Sequence, residues 1–283
     1  MSTLYLSRII AGDRPTPDEW NDHLVAFHSV YSDATDQWLS LLRTSDGRTS
    51  YDVLTDHLRA SVPQARNFLD IGCGDGALLA RIANAFRDVR LTGVDLSQEQ
   101  LVRSAAKLPR ATFLRGDASR MDLGSGGQDA VVAHLSFMLI SRIASVLRRA
   151  YAALRPGGLL AFVAEDPLAG DTIVNLMETS VAFLRDRFPQ FAPGVPERAA
   201  IERDEVLKGL LGEVGFKNVS IERFDVRARL STEQLWGFVE QTYTLGLLDH
   251  SLRLDLRHVV TAAMSEGLVE TRLALRLVSA YSQ

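Results

Sequence analysis

Three glycines fall within five positions of the segment FLDIGCGDGALL (residues 68–79): Gly72, Gly74 and Gly76, with Asp70 two residues ahead of the first. A glycine inside ordered chain costs roughly 0.5–1 kcal/mol relative to alanine, so the cluster must supply something alanine cannot. Placed between a strand and a helix, such a turn lets backbone approach a nucleotide-like ligand beyond the strand ends. Two further acids stand in matching positions. Asp95 ends the next apolar run, where a carboxylate accepts hydrogen bonds from both hydroxyls of a ribose. Asp117 ends the run after that, within reach of an exocyclic adenine amine. His134 closes a fourth run, and three roles are open to it: a base working near neutral pH, a positioning group, or a structural end to the strand.

Alternating elements must hold these residues. NFLDI (67–71), VRLTGVD (89–95), ATFLRGD (111–117), DAVVAH (129–134) and LLAFVAE (159–165) read as short strands. Between them, apolar residues recur at helical spacing, as in Leu78, Leu79, Ile82 and Phe86, or Ile143, Val146, Leu147 and Ala150. Ser97 with Gln100 offers a capping box, and RPGG (155–158) stops the last of these helices. Strands joined by helical crossovers predict a parallel sheet with helices on both faces. Beyond it come a helix over 171–188, a proline-rich stretch at 189–196 and a helix at 203–214 ended by Gly215. A strand over 218–228, a helix capped by Ser231 with Gln234, and a helix near 251–265 follow. The final run, 270–280, alternates Leu273, Leu275 and Leu277 with Arg272, Ala274 and Arg276, which predicts a half-buried, hairpin-paired edge strand.

DIGCGDG, VDLS, GDA and LRPGG, in that order and at strand ends, resemble the class I S-adenosylmethionine-dependent methyltransferases, closely over about residues 60–165. The resemblance implies a Rossmann-like, doubly wound, mostly parallel seven-stranded sheet with an antiparallel C-terminal edge strand. It also implies S-adenosyl-L-methionine as cofactor. In that family the acid before the first glycine and the glycine backbone hold the methionine part of the cofactor, here Asp70, Gly72 and Gly74. The ribose falls to Asp95, with Leu96 beside it, the adenine to Asp117 with Ala118, and the position beside the sulfonium to His134. A dinucleotide dehydrogenase would carry G-x-G-x-x-G, whereas this chain reads Gly72-x-Gly74-x-Gly76. The expected reaction is methyl transfer to an O, N or C nucleophile of a small, fairly apolar molecule. Two alternatives are another reaction that uses the bound sulfonium and a binding module without catalysis.

Four segments follow from this reading. Residues 1–60 are expected to form a helical cap, 61–166 the cofactor-binding half, 167–202 a helical and proline-rich lid, and 203–283 the elements that complete the sheet. The cap brings Tyr31 and Trp38 forward as substrate contacts, and Glu165, ending the fifth strand beside Asp166, is a third. Phe183, Phe188 and Phe191 give the lid its apolar character. Asp75 reads as a turn residue and Cys73 as a small packing residue.

Composition narrows the partners. The chain has 283 residues, 46% of them hydrophobic, and 31 Lys+Arg against 35 Asp+Glu, for a net charge of −4. That charge gives no reason to expect a nucleic-acid partner, and the segment AHLSF lacks the (Asp/Asn)-Pro-Pro-aromatic motif of nucleic-acid N-methylation. A single cysteine fits a reducing compartment. No charge-free window of about 20 residues and no leader pattern are evident, so a cytoplasmic protein off the membrane is expected, as monomer or homodimer. No side-chain set has metal-ligand spacing, and no metal is expected.

Overall fold

The computed structural model describes residues 4–32, 34–166, 169–196, 199–262, 264 and 267–283. The parts of the expected cap at 1–3 and 33, and of the expected lid at 167–168 and 197–198, lie outside the described residues. The chain begins with helices α1 (Leu4–Ala11), α2 (Pro17–Val30), α3 (Ala34–Leu39) and α4 (Ser50–Ser61). Then β1 (Asn67–Ile71), α5 (Ala77–Ala85), β2 (Arg90–Asp95), α6 (Gln98–Lys107) and β3 (Thr112–Arg115) alternate. They continue as β4 (Gln128–His134), α7 (Ile143–Ala153) and β5 (Leu154–Glu165). Helices α8 (Thr172–Arg187), α9 (Ala199–Glu202) and α10 (Asp204–Val214) lead to β6 (Lys217–Ser231). The last elements are α11 (Thr232–Glu240), α12 (His250–Ala262) and β7 (Leu268–Tyr281). Among the described residues no helix is long and apolar enough to cross a membrane.

By packing, the chain divides into two units. The larger comprises Arg48–Asp166, Glu197–Phe224 and Leu275–Gln283; the smaller comprises Met1–Gly47, Pro167–Pro196 and Asp225–Ala274. The stretch 1–60 is therefore divided, with α4 in the larger unit.

The seven strands form one sheet in the order β3-β2-β1-β4-β5-β7-β6. The first five are parallel, with Asp70 opposite Gly93 on one side and Val132 on the other. This order reverses direction between β1 and β4, and ligands of doubly wound sheets bind at that switch, beyond the strands' carboxyl ends. Strand β7 runs antiparallel to β5, from Leu159 opposite Tyr281 to Glu165 opposite Leu275. The antiparallel edge is thus a pair, with β7 inside β6. This corrects the half-buried reading of β7: Thr271, Ala274, Arg276 and Val278 are all buried, Arg276 being only 1% exposed. A strand with neighbours on both sides has little surface left for solvent, and Val278 and Ala280 join the core that holds Leu160 and Phe162. The outermost strand β6 carries Glu222, Arg223, Asp225, Arg227 and Arg229, charges that discourage further strand pairing at a sheet edge.

Local signals set the element ends. The Ser231–Gln234 capping box is complete. At Ser97 only half of one forms: its Oγ accepts from the Gln100 N–H, but the buried Gln100 side chain does not return the bond. Gly215 stops α10 at φ 116°, where an added Cβ would also meet the Tyr151 ring at 3.1 Å.

The smaller unit has its own aromatic core, in which Tyr5, Trp20, His23, Phe27 and Tyr243 stack and tilt against one another. His23 is fully buried, its ring nitrogen bonded to the Tyr243 carbonyl. Phe191, expected on a lid, is buried in this unit.

Candidate functional site

The turn after β1 is held by its own backbone. The N–H groups of Gly72 and Cys73 both donate to the Val94 carbonyl, at 2.8 and 3.0 Å, tying the turn to β2. Gly72, Gly74 and Gly76 all have positive φ (72°, 52° and 82°), a conformation that favours glycine. Their surroundings differ. A Cβ on Gly72 would lie 2.4 Å from that of Ser136, whose Oγ donates to the Ile71 carbonyl. A Cβ on Gly76 would lie 3.1 Å from Ser104 Oγ, which donates to the Gly74 carbonyl. Only Gly74 has room, its nearest neighbour being Gln100 Oε1 at 3.9 Å. Two glycines therefore serve close packing, and the third leaves an open approach to backbone.

The acids gather around this turn. Asp70 is buried, and its Oδ1 has no hydrogen-bond partner. Burial pushes its carboxyl well above the usual carboxylate range, and the Asp95 charge adds to the rise. A buried acceptor without a partner is costly, and an ammonium donor would relieve it. Asp95 joins two turns: its Oδ2 accepts from the Gly74 N–H and its Oδ1 from the Ser97 N–H, both at 2.9 Å. Each oxygen keeps a second lone pair for a hydroxyl. Half-buried Leu96 follows it. Asp117 Oδ1 accepts from the Ser119 N–H at 2.8 Å, Arg142 approaches its Oδ2 at 3.6 Å, and Ala118 beside it is buried. Asp75 is a turn residue, accepting from the Ala77 N–H and pairing with Lys107. Cys73 is buried, and burial followed by the Asp70 and Asp95 charges pushes its thiol up, away from the reactive thiolate.

His134 closes β4 and is followed by Leu135 at φ 53°. A left-handed leucine costs on the order of 1–2 kcal/mol; the bend it makes leads to Ser136, the residue packed against Gly72. The imidazole stacks on Tyr51, with centroids 3.9 Å apart at 18°, and its Nε2 lies 3.0 Å from Ser50 Oγ. Arg81 sits over the Tyr51 ring at 4.3 Å. Ser50, Tyr51 and Arg81 were not singled out in the sequence; the only local sign was the helix start at Thr49–Asp52, which forms a capping box. Glu165 ends β5 half-buried, and the adjacent Asp166 is buried against Arg223 at 2.8 Å. Tyr31 and Trp38 lie in the smaller unit. There Tyr31 accepts a hydrogen bond from Arg253, and the Trp38 indole donates to Gln241.

Burial, and secondarily the Arg81 charge, lowers His134 to about 3. Burial lowers His23 to about 4 against the opposing bond to Tyr243. Both imidazoles are thus neutral in the fold at pH 7, and the pH dependence of stability follows. Below pH 6.5 the unfolded chain binds protons that the folded chain does not, so stability falls with pH until the folded values are reached. Each histidine contributes a slope of up to about 1.4 kcal/mol per pH unit between 6.5 and about 4. Asp129 and Asp204 act lower: burial raises each, but hydrogen bonds led by Arg155 and Arg223 outweigh it, so their contribution is lost only below about pH 4. His57, also lowered by burial, acts in the same sense, and the raised Asp70 carboxyl acts in the opposite one, so the difference between proteins is the test: in urea unfolding at pH 7.5, 6 and 5, His134→Gln should take up to about 1.4 kcal/mol per pH unit off the wild-type slope below pH 6.5. An unchanged slope in that variant would refute the buried-imidazole account.

Comparisons with known proteins bear on the family and the fold. Residues 68–158 match the family described as "Methyltransferase domain". A trans-aconitate 2-methyltransferase of Delftia acidovorans is 28% identical over 150 residues, covering 52% of this chain and 53% of that protein. A malonyl-[acyl-carrier protein] O-methyltransferase of Enterobacter lignolyticus is 31% identical over 171 residues, covering 59% and 63%. The chain thus spans about half to two-thirds of the length of these relatives. Among solved structures, Haemonchus contortus phosphoethanolamine N-methyltransferase 2, bound to phosphomonomethylethanolamine and S-adenosylhomocysteine, superposes with a TM-score of 0.59. It is 16% identical, with 93% of this chain and 60% of that one covered, and attests the fold.

Proposed function

Because the chain belongs to the class I S-adenosylmethionine-dependent methyltransferases, we propose that it transfers a methyl group to a carboxylate oxygen of a small organic acid. The observation that carries this reading is the state of His134. An imidazole lowered to about 3 is a weak base toward a hydroxyl or ammonium acceptor at neutral pH. A carboxylate is already ionised there and needs no base. The relatives named for trans-aconitate and malonyl-acyl-carrier protein act on molecules with carboxyl groups, which supports the same class.

The cofactor supplies the methyl group as an electrophilic carbon on a sulfonium whose leaving group is neutral. The residues present fit it. Asp70, a buried carboxylate with an orphaned oxygen, would hold the ammonium of the methionine part, and the open Gly74 would admit backbone contact. Asp95 would take the ribose hydroxyls, and Asp117 with Ala118 the adenine. What this chain must then do is align the acceptor oxygen with the methyl carbon and keep water out; alignment contributes about 7–11 kcal/mol of the barrier in favourable cases.

The test is incubation of the purified chain with methyl-labelled S-adenosylmethionine and a panel of mono-, di- and tricarboxylic acids, amines and phenols. Label in an acid product that mild alkali releases as methanol is the expected result, because a methyl ester hydrolyses there. Label that survives alkali, as in a methylated amine or phenol ether, would refute the carboxylate assignment.

A further inference from the structure

We propose that Ser50 fixes the tautomer of His134 so that the ring presents its Nδ1–H, as a hydrogen-bond donor, to an oxygen of the methyl acceptor. The inference rests on the methyltransferase reading above and deepens it by adding an element of acceptor specificity.

The argument is a count of buried hydrogen-bonding groups. Ser50 and His134 are both buried, and the contact between Ser50 Oγ and Nε2, at 3.0 Å, is the one hydrogen bond described for either side chain. Nδ1 is buried with no partner. If Nε2 carried the proton, it would donate to Ser50 Oγ, leaving the serine O–H without an acceptor and the Nδ1 lone pair without a donor. If Nδ1 carries it, the serine O–H donates to the Nε2 lone pair and one group alone is unsatisfied: Nδ1–H. Buried polar groups in folded proteins nearly always find partners, so the second arrangement is favoured, and it leaves a donor in need of an acceptor.

Its position gives the orphan a use. His134 ends β4 at the switch between β1 and β4, two residues beyond the pairing of Val132 with Asp70. The Tyr51 stack fixes the ring plane, and Arg81, over Tyr51 and bonded to the Ala77 carbonyl, braces that stack. A fixed N–H suits a carboxylate or carbonyl oxygen, which accepts, and disfavours an ammonium, which only donates. Ser50 is a positioning residue here, acting through the ring.

Nitrogen-15 NMR of histidine-labelled protein reads the tautomer without any acceptor. The wild type should show Nδ1 protonated and Nε2 bare, and Ser50→Ala should lose that preference. Calorimetry with S-adenosylhomocysteine present, using trans-aconitate and malonate as probes, then reads the donor. Binding of the acid should weaken about 10- to 100-fold in His134→Gln, with S-adenosylmethionine affinity kept within about threefold. A proton on Nε2 overturns the inference even where a methyl ester is formed. So does equal binding of either acid by wild type and His134→Gln, and so does a matching loss of cofactor affinity, which would turn Nδ1 toward the cofactor. Binding of neither acid by the wild type, with the proton on Nδ1, also overturns the assignment of that proton to the acceptor, whereas the carboxylate reading stands or falls on the labelled products alone.

Discussion

Asp95→Ala is expected to weaken S-adenosylmethionine binding by about 2–4 kcal/mol, or roughly 30- to 1,000-fold in Kd. Two losses combine. The first is the proposed pair of hydrogen bonds to the ribose hydroxyls, each worth about 1.5–3 kcal/mol to a charged acceptor and seldom both in full. The second is visible without ligand: Asp95 holds the Gly74 N–H and the Ser97 N–H, so its removal frees the glycine turn from the turn after β2. Asp95→Asn separates them imperfectly but usefully, because its single oxygen can keep one backbone donor while its NH2 faces the other. It should therefore also bind weakly, though less so than alanine. Gly74→Val tests the same turn from the other side. The space there is open to a side chain, so the fold should survive a strained φ while cofactor approach is blocked. Calorimetry on folded Asp95→Ala showing wild-type affinity would remove Asp95 from the ribose site.

How much of this was written in the sequence depends on the distance over which each cause acts. The strand–turn–helix at Gly72–Gly76 and Asp95, the last residue of β2, are legible because each stands at the end of its own short apolar run, whereas β3 stops at Arg115 and leaves Asp117 two residues beyond it. A strand's end is set within a few residues, and parallel connectivity then places successive ends side by side. The reason for each glycine was less legible. In the sequence Gly72 reads as making room for a ligand, yet its missing Cβ makes room for Ser136, 64 positions on, a partner that no local window contains. The same limit hid Ser50 and Tyr51, which meet His134 across 84 and 83 positions. In β7 the pattern actively misled. Alternating Leu and Arg reads as a wet face opposite a dry one, and nothing near Arg276 announces that Asp204, 72 residues earlier, is waiting for it.

That buried arginine carries the other large expected effect: Arg276→Met should destabilise the larger unit by about 3–5 kcal/mol, the range for removing one partner of a buried ion pair. The guanidinium is 1% exposed, and each of its three nitrogens donates a hydrogen bond. Nη1 pairs with Asp204 Oδ1 at 2.7 Å, Nη2 donates to the Ile201 carbonyl at 2.9 Å, and Nε donates to the Glu165 carbonyl at 3.1 Å. Methionine keeps most of the apolar stem, so little packing is lost, but the buried Ile201 carbonyl and the half-buried Glu165 carbonyl each lose this donor. Asp204 would keep only Arg223, which it shares with Asp166 and which is half exposed. The Asp204 carboxyl, now held low by hydrogen bonds from Arg223 and Arg276 despite burial, should rise toward its unfolded value, so the part of the stability loss below about pH 4 that Asp204 gives the wild type should shrink in the variant. The double variant Arg276→Met/Asp204→Leu sharpens the test. If the cost comes from an uncompensated charge, removing that charge should restore part of the loss, and the two substitutions should be strongly non-additive. Because the Nε bond ends on the carbonyl of Glu165, the last residue of β5, the single variant should also increase hydrogen exchange around the end of that strand, beside the proposed acceptor position. A urea midpoint within experimental error of the wild type, or two costs that simply add, would mean that the arginine is an accommodated charge and that the fold rests on its apolar neighbours alone.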